Sequence, residues 1–385
     1  MYNFCIAKKK AVRQICFYKK SMIRYLFDCS FISPQNRYRS IPTYAFRFIQ
    51  ALPQNILSEC AVMVRPPMAK YFKEISPGLR LIYVQSFKFF TKIPFLKTIN
   101  DKLYRGKIRN IDFHSILIFD EYRECTLFET THRKVAIIHD LKSYDTIKPD
   151  QIENSFHARL AKSCDALIAI SQYTKYDVVK YLQVKFDKIN VVYNSVQLPS
   201  QAHSPLNFSN EKPYILYVNS LDSYKNAMTL ARAFYLLKDR YDLNLVFVGR
   251  STLHWEKEVK NFIKENGFEG RVIRLQDITN EELKFVYEHA SLFVTPSLHE
   301  GFGYTPIEAA ICKCPVISST CEALPETTRH LLYYYNPATD AQALSAKMME
   351  VLDNPPSEEA LNKISVILSE LYNPDKQVAG ILNVL

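Results

Sequence analysis

The feature that most limits the fold is a regular alternation of short apolar runs with longer helical patterns. The runs are rich in β-branched and aromatic residues and are three to six residues long. Continuous apolar strands that alternate with helices are typical of parallel sheets covered on both faces. We therefore predict an α/β fold, with strands at 23–27, 115–119, 134–139, 166–170, 189–193, 214–218, 243–248, 272–275, 292–295 and 316–318.

A polar segment at 196–212 divides this series of strands into two halves. It contains two prolines and has no helical period, so we interpret it as a linker between two Rossmann-like domains at 22–195 and 213–370. Residues 1–21 lack the apolar core of a signal peptide, and we interpret them as a tail or a misassigned start. Nine cysteines without zinc-type spacing and without a secretory signal fit a reducing cytosol.

Charge is distributed unevenly along the chain. Residues 1–200 carry 32 Lys+Arg against 16 Asp+Glu, and residues 201–385 carry 17 against 23. The basic half favours an anionic partner, either acidic lipid, nucleic acid or a phosphorylated substrate, although a solvated basic surface has the same composition. No apolar run reaches 18 residues, so we expect no spanning helix. The segment FKFFTKIPFL (87–96) fits a membrane surface or a half-buried loop.

The most informative segment is PSLHEGFGYTPIE (296–308), which follows an apolar strand and leads into a helix. Pro306 suits the first helical turn, where its missing N–H costs little. Gly301 and Gly303 allow the backbone to approach a ligand and to direct amides at it. A helix N-terminus directly after a strand is an anion site and suits a diphosphate.

Glu300 and Glu308 bracket this loop. A carboxylate accepts paired hydrogen bonds from vicinal hydroxyl groups, so two carboxylates suit a sugar and a ribose. The alternative is structural, with Glu308 as a partner of the helix dipole and Glu300 as a solvated loop charge.

The segment resembles the E-x7-E motif of the family 4 retaining glycosyltransferases, which have the GT-B fold. Five further segments are similar to the family: IIHDL (137–141), ALIAISQYTKYDV (166–178), YILYVNSLDSYKN (214–226), VIRLQDITNEELKFVYEHASLFVTPS (272–297) and CPVISSTCEALPET (314–327). The likeness covers residues 22–385 and is closest to the mannosyltransferase-like branch. It implies two Rossmann-like domains with parallel sheets facing across a cleft. It also implies a C-terminal helix at 371–385 that crosses back to the N-terminal domain.

The resemblance implies two sets of functional residues. The catalytic set is His139, Lys225 and Glu300, and the donor-binding set is Glu308, Phe302, Gly303, Tyr304, Arg250 and Asn226. Glu308 would bind the nucleotide ribose, Glu300 the donor-sugar hydroxyls, and Lys225 would neutralise the diphosphate. His139 would contact the donor sugar near the reacting carbon, although a histidine at a strand end is also a common structural residue.

The implied activity is a retaining, metal-independent transfer of a hexose from a nucleotide sugar to a surface polysaccharide or a lipid-linked glycan. The N-terminal domain would bind the acceptor and the C-terminal domain the donor. GDP-mannose is the first expectation for the co-substrate, and a UDP-sugar is the alternative. We expect no cofactor, no metal and no nucleic acid, and a cytoplasmic protein that can attach to the anionic inner face of the plasma membrane.

Several positions depart from the family pattern. Asn219, Gln276, Lys313 and Ser195 stand where glycine is usual, and Tyr224 replaces the arginine that usually precedes the phosphate lysine. These losses keep a degenerate, non-catalytic homologue that binds a donor or a partner enzyme as the alternative. A nucleic-acid-binding protein and a sugar-nucleotide epimerase on the same fold are further alternatives.

Overall fold

A computed structural model describes residues 23–84 except 38, residues 106, 108 and 110–120, and residues 132–385 except 143, 207 and 210. The predicted tail at 1–21 and the aromatic segment at 87–96 lie outside the described residues. Among the described residues, strands form a seven-stranded and a six-stranded sheet. The strands are β1 Ile23–Asp28, β2 Cys60–Val64, β3 Arg80–Tyr83, β4 Phe113–Ile118, β5 Arg133–Ile138, β6 Ala166–Ala169, β7 Ile189–Val191, β8 Tyr214–Val218, β9 Asn244–Val248, β10 Val272–Leu275, β11 Leu292–Thr295, β12 Val316–Ser319 and β13 Tyr333–Tyr335.

Both sheets have the strand order of a dinucleotide-binding fold. The first sheet runs β3-β2-β1-β4-β5-β6-β7, and the second runs β10-β9-β8-β11-β12-β13. All pairings in the second sheet are parallel, as are β1–β2, β1–β4, β2–β3 and β6–β7 in the first. In each sheet the chain therefore begins with a central strand, adds strands on one side, and then adds the remaining strands on the other side.

The ten strands predicted from the sequence are confirmed, and β2, β3 and β13 were not predicted. The α-helices between and after the strands are α1 Ser40–Gln50, α2 Ala69–Ile75, α3 Pro149–Glu153, α4 Phe156–Ser163, α5 Gln172–Leu182, α6 Ala227–Leu237, α7 Lys260–Glu265, α8 Asn280–Glu288, α9 Tyr304–Ile311, α10 Leu324–Thr327, α11 Ala341–Asp353, α12 Glu358–Leu371 and α13 Pro374–Val384. The capping box at the start of α8 is confirmed. Thr279 accepts from the Glu282 amide at 3.2 Å, and Glu282 accepts from the Thr279 amide at 2.7 Å.

By its contacts the chain divides into two compact units. The first comprises Met1–Val135, Ser163–Asp165 and Leu385, and the second comprises Ala136–Lys162 and Ala166–Val384. The domain boundaries inferred from the sequence stay predictions. Within the described part of the chain, no helix has both the length and the apolar character needed to cross a bilayer.

The core of the second sheet explains why its strands are so apolar. Strands β8 and β11 are buried at every position. Helix α6 covers them with Leu230, Phe234 and Leu237, which recur at helical spacing and are all at most 1% exposed. The single tryptophan, Trp255, packs against Phe247 in the same core with ring centroids 4.9 Å apart. This core fixes the ends of β8 and β11, from which the site is built.

Candidate active site

The candidate site lies where the strand order of the second sheet reverses. Strands β8 and β11 are neighbours in the middle of that sheet, and the chain leaves them toward opposite sides. Open parallel sheets bind ligands beyond the carboxyl ends of strands at such a switch point. The segment after β8 carries Lys225 and the segment after β11 carries Glu300, so the topology brings together two side chains that are 75 residues apart.

Lys225 and Glu300 form a nearly buried ion pair. The Lys225 Nζ donates to Glu300 Oε1 at 2.6 Å, and the two side chains are 11% and 12% exposed. The same carboxylate oxygen accepts from Asn219 Nδ2 at 3.2 Å and from Ser297 Oγ at 3.0 Å. The family resemblance implies separate roles for the two residues, with the lysine on the phosphate and the glutamate on the sugar. In this structure each is the main partner of the other.

Glu322 holds the loop that carries Glu300. Its Oε2 accepts from the backbone amide of Glu300 at 2.6 Å, and its Oε1 accepts from His299 Nδ1 at 2.7 Å. The Leu298 amide in turn donates to the Tyr224 carbonyl at 2.8 Å, which joins this loop to the segment after β8. These bonds fix the direction of the Glu300 side chain, so the pair with Lys225 is pre-arranged.

Gly301 and Gly303 are required by close protein contacts. A Cβ atom at Gly301 would lie 2.5 Å from the carbonyl oxygen of His139. Gly303 has φ +82°, and a Cβ there would clash with Leu324. The sequence pattern predicts that these glycines allow the backbone to approach a ligand closely. The structure shows that protein atoms occupy the space beside both, because three segments of the second unit meet at this loop.

Helix α9 begins directly after this loop. Its N-cap is Gly303, which has no side chain, and no side-chain hydrogen bond caps the helix. Pro306 is in the first turn, as predicted. The first amides of a helix lack internal partners and carry a partial positive charge. The N-terminus of α9 thus has the character of an anion site beside the Lys225–Glu300 pair.

A cavity of about 170 Å³ contains this pair. Pockets that enclose a whole drug-sized ligand have roughly 300–1,000 Å³, so this cavity accommodates only part of a nucleotide sugar. All of its lining residues belong to the second unit. They are Asp140, Leu141, Lys142, Asp145, Thr146, Tyr173, Thr174, Asp177, Tyr224, Lys225, His299, Glu300, Gly301 and Glu322.

Carboxylates outnumber cations in this lining. Burial, and next the charge of Glu322, raise the pKa of Asp177 to about 6. Burial first, and the charge of Lys225 second, lower the pKa of Lys142. Both shifts arise first from burial, which disfavours the charged form, and second from a nearby like charge. Perturbed groups that converge in one cavity are typical of a functional site.

Of the nine site residues predicted from the sequence, Lys225 and Glu300 line the cavity. His139 does not, although its carbonyl oxygen lies against Gly301 and the next residue, Asp140, is in the lining. Arg250 has an exposed side chain, and its carbonyl accepts from the Leu221 amide at 3.3 Å. It lies outside the cavity lining.

Two further predicted residues hold the frame of the site. Glu308, on α9, is 8% exposed, and its Oε2 accepts from the Tyr287 hydroxyl at 3.1 Å. Asn226 adopts φ 59° before α6. Its side-chain Nδ2 donates to the backbone carbonyls of Pro296 and Ala338 at 2.9 and 2.8 Å. Their roles in donor binding stay predictions.

The predicted aromatic residues of the loop differ in exposure. Phe302 is 3% exposed and packs edge-on against Tyr304 and Tyr372, with ring centroids 5.0 and 5.2 Å apart. Tyr304 begins α9 and is partly exposed. Phe302 therefore anchors the loop through its ring, and the backbone of Gly303 and Tyr304 lies at the helix N-terminus.

Sequence reasoning missed Glu322, His299 and Asn219 as partners within the site. Glu322 lies in the segment 314–327 that the family resemblance marked, but nothing in its spacing indicated a bond to His299. Asn219 was noted only as a missing glycine. Such contacts depend on loop geometry and have no local signal.

Among the described residues, no group of three or more His, Cys, Asp or Glu side chains is arranged to hold a metal ion.

Comparison with known proteins agrees with this geometry. The family model for glycosyl transferases group 1 matches residues 200–365, which include β8 to β13 and both members of the ion pair. The chain carries a glycosyl transferases group 1 domain. The match begins in the predicted linker and ends in α12.

Two relatives of the group 1 domain are named as O-antigen chain mannosyltransferases. RfbU of Salmonella typhimurium is 26% identical over 229 residues, covering 56% of this chain and 62% of that protein. The O-antigen chain mannosyltransferase B of Escherichia coli is 25% identical over 239 residues, covering 58% of this chain and 62% of that protein. The matches thus span less than two thirds of the length of these relatives.

Solved structures share the fold over nearly the whole chain. Sucrose-phosphate synthase from Thermosynechococcus elongatus superposes with a TM-score of 0.69 at 18% identity, covering 94% of this chain and 97% of that chain. HepE of Anabaena, in complex with UDP and glucose, superposes with a TM-score of 0.71 at 15% identity, covering 95% and 100%. The α/β architecture with two parallel sheets is the GT-B fold of these proteins, as the sequence predicted.

Proposed function

We propose that the chain is a retaining, metal-independent glycosyltransferase. It moves a hexose from a nucleotide sugar to a growing surface polysaccharide or a lipid-linked glycan, and mannose is the first hexose to test. The observation that carries the proposal is the pairing of Lys225 with Glu300 at the switch point of the group 1 domain, beside the N-terminus of α9. GDP-mannose is the first donor to consider, because two relatives are named as mannosyltransferases. A UDP-sugar is the alternative, because HepE was crystallised with UDP-glucose.

The proposed chemistry follows from where charge develops. When the bond from the sugar carbon to the diphosphate oxygen breaks, the electron pair stays on the diphosphate and positive charge develops on the sugar ring. The Lys225 ammonium and the amides at the start of α9 stabilise the leaving diphosphate. A phosphate oxygen takes the proton of the acceptor hydroxyl, whose oxygen bonds to the sugar carbon on the same face. Retention of configuration results.

In this proposal the carboxylates position the donor. Glu300 accepts hydrogen bonds from hydroxyls of the transferred sugar, Glu308 accepts from the ribose, and His139 lies near the reacting carbon. The loop of Phe302, Gly303 and Tyr304 presents its backbone amides to the sugar or the phosphates. The proposal that no metal takes part rests on the family resemblance, and a chelator such as EDTA should leave the transfer rate unchanged.

The experiment that tests the proposal is donor binding and hydrolysis across a panel of GDP- and UDP-sugars. We expect one nucleotide sugar to bind and to be hydrolysed slowly, and Lys225→Ala and Glu308→Ala to abolish both. Lys148→Ala is the matched control, because Lys148 is exposed and lies outside the cavity lining. Circular dichroism of each variant separates loss of the site from loss of the fold. If no nucleotide sugar binds at millimolar concentration, the proposal fails and the non-catalytic alternative takes its place.

We also propose that the protein works at the cytoplasmic face of the plasma membrane, where a lipid-linked acceptor is within reach. The charge excess of residues 1–200 supports this part of the proposal. Vesicles that contain acidic lipid should bind the protein more tightly than neutral vesicles, and the difference should fall as salt is raised. Equal binding to both kinds of vesicle would refute membrane attachment by charge.

A further inference from the structure

Lys225 alone is poorly suited to bind a diphosphate. Its ammonium group already donates to Glu300 Oε1 at 2.6 Å and to the His299 carbonyl at 3.4 Å. The pair is therefore close to neutral before any ligand arrives. Glu322, Asp140 and the other carboxylates of the lining add negative charge to the same cavity. A diphosphate that entered this cavity would need a further cation.

Lys142 is the other lysine in the cavity lining. Its Nζ lies 2.7 Å from the centroid of the Tyr224 ring. Tyr224 directly precedes Lys225 in the sequence. Its backbone amide donates to Asp140 Oδ1 at 3.2 Å, which turns the chain after β5 toward the cavity. Within the described part of the chain, no carboxylate lies within ion-pair distance of its ammonium group. The charges of Asp140, Asp222 and Glu300 act on the Lys142 ammonium group, but the group lies against an aromatic face without an ion-pair contact, so it can still bind an anion.

We propose that Lys142 is the second cation of the diphosphate site and that the Tyr224 ring positions its ammonium group beside Lys225. The inference rests on the proposed function, because it concerns the same donor. A lysine on a flexible stem contributes little unless its position is fixed, and the ring fixes it without neutralising it. The two lysines come from different segments, one after β5 and one after β8.

The lowered pKa of Lys142 agrees with this placement. Burial contributes most to that shift and the charge of Lys225 comes second, while the charges of Asp140, Asp222 and Glu300 oppose it. The two ammonium groups therefore lie close enough to repel each other. A bound anion between like charges removes that repulsion and adds charge-assisted hydrogen bonds.

Calorimetric titration with GDP, UDP and the matching nucleosides, guanosine and uridine, tests the proposal. Lys142→Ala should weaken binding of the better nucleoside diphosphate at least about tenfold, which is about 1.4 kcal/mol. It should change binding of the nucleoside by less than about twofold, because the nucleoside lacks the phosphates. Lys142→Arg should keep most of the affinity, and Lys148→Ala should match the wild type.

The role of Tyr224 as a positioning residue has its own readout. Tyr224→Phe keeps the ring and should bind the diphosphate like the wild type. Tyr224→Leu should weaken binding about threefold to tenfold, the range of a cation–π contact. In the Lys142→Ala background the same Leu substitution should have no further effect. A weakening of equal size in that background would show that the ring acts on the site by another route.

The outcomes separate the two proposals. If the wild type binds a nucleoside diphosphate and Lys225→Ala weakens it, but Lys142→Ala does not, the role of Lys142 is refuted and the proposed function stands. If Lys142→Ala weakens the nucleoside and the diphosphate equally, Lys142 shapes the pocket and is not a phosphate ligand. If the wild type binds no nucleoside diphosphate, the role of Lys142 is refuted, and the binding of nucleotide sugars alone then decides the proposed function.

Discussion

The ion pair between Lys225 and Glu300 makes a quantitative prediction about stability. The two side chains are 11% and 12% exposed, and the charged atoms are 2.6 Å apart. At an effective dielectric constant of about 20, Coulomb's law gives an attraction of about 6 kcal/mol at this distance. Desolvation of the two groups offsets much of it, but removal of one partner leaves the other as an uncompensated, nearly buried charge, which typically costs about 3–5 kcal/mol.

A double-mutant cycle with Lys225→Met and Glu300→Gln measures this coupling. Each single variant should lose about 3 kcal/mol of unfolding free energy, and the double variant should lose about the same amount instead of the sum. The coupling energy is then about 3 kcal/mol. Asn219 and Ser297 also donate to the carboxylate of Glu300, so Lys225→Met should fall at the lower end of the range.

The single tryptophan provides the assay. Trp255 is 4% exposed in the core of the second sheet, so its fluorescence during urea unfolding reports on the part of the chain that contains the site. The matched control is the pair Lys347 and Glu350 on α11, whose side chains are 27% and 54% exposed. Its coupling should be below about 0.5 kcal/mol, as for exposed pairs on a helix. A coupling equally small for Lys225 and Glu300 would refute the reasoning that burial makes their pair strong.

Three further substitutions are expected to change stability in stated directions, each read by urea unfolding. Gly301→Ala should cost about 2 kcal/mol or more because its Cβ would lie 2.5 Å from the His139 carbonyl, whereas Gly270→Ala meets open space, and equal effects would contradict the contact. Lys313 follows the C-cap residue of α9 and has φ 62°, so Lys313→Gly should gain about 1 kcal/mol; if Lys313→Ala gained as much, removal of the side chain and not the backbone angle would be the cause. Burial raises the Asp177 pKa to about 6, so the folded protein keeps this proton to higher pH than the unfolded chain does and loses stability as the pH rises above the ordinary value of 3.8. Asp177→Asn should therefore gain about 1–2 kcal/mol at pH 8 and less at pH 5, and a gain independent of pH would refute the shift.

The fold was predictable from the sequence because its signals are local. A fully buried strand such as β8 must be continuously apolar. The capping box of Thr279 and Glu282 likewise marks the start of α8 in the sequence. Two of the three missed strands, β3 and β13, lie at sheet edges and are only partly buried, whereas the third, β2, is interior and buried at every position. Edge strands need fewer apolar residues, so the pattern that reveals a central strand is weak there.

The site was predictable only in part. The family resemblance marked Lys225 and Glu300, and the strand order explains why the loops that carry them meet. It could not indicate that the two side chains pair with each other, because hydrogen bonding across 75 residues depends on loop geometry. The contact of Lys142 with Tyr224 is of the same kind: neither residue has a local pattern that points to the other.

The pairing of Lys225 with Glu300 has a consequence for selectivity in the proposed function. An anion that draws Lys225 away from Glu300 leaves this carboxylate with only the neutral donors Asn219 and Ser297, and a nearly buried charge without its counter-ion is costly. Inorganic phosphate and a bare nucleoside diphosphate give the lysine a new partner but leave the glutamate without a replacement for its ammonium partner. A sugar diphosphate offers phosphate oxygens to Lys225 and hydroxyl groups to Glu300, so both members of the pair exchange one partner for another. The site thus favours a donor that still carries its sugar over the product that has lost it, which is the order of affinities that lets the spent nucleotide leave.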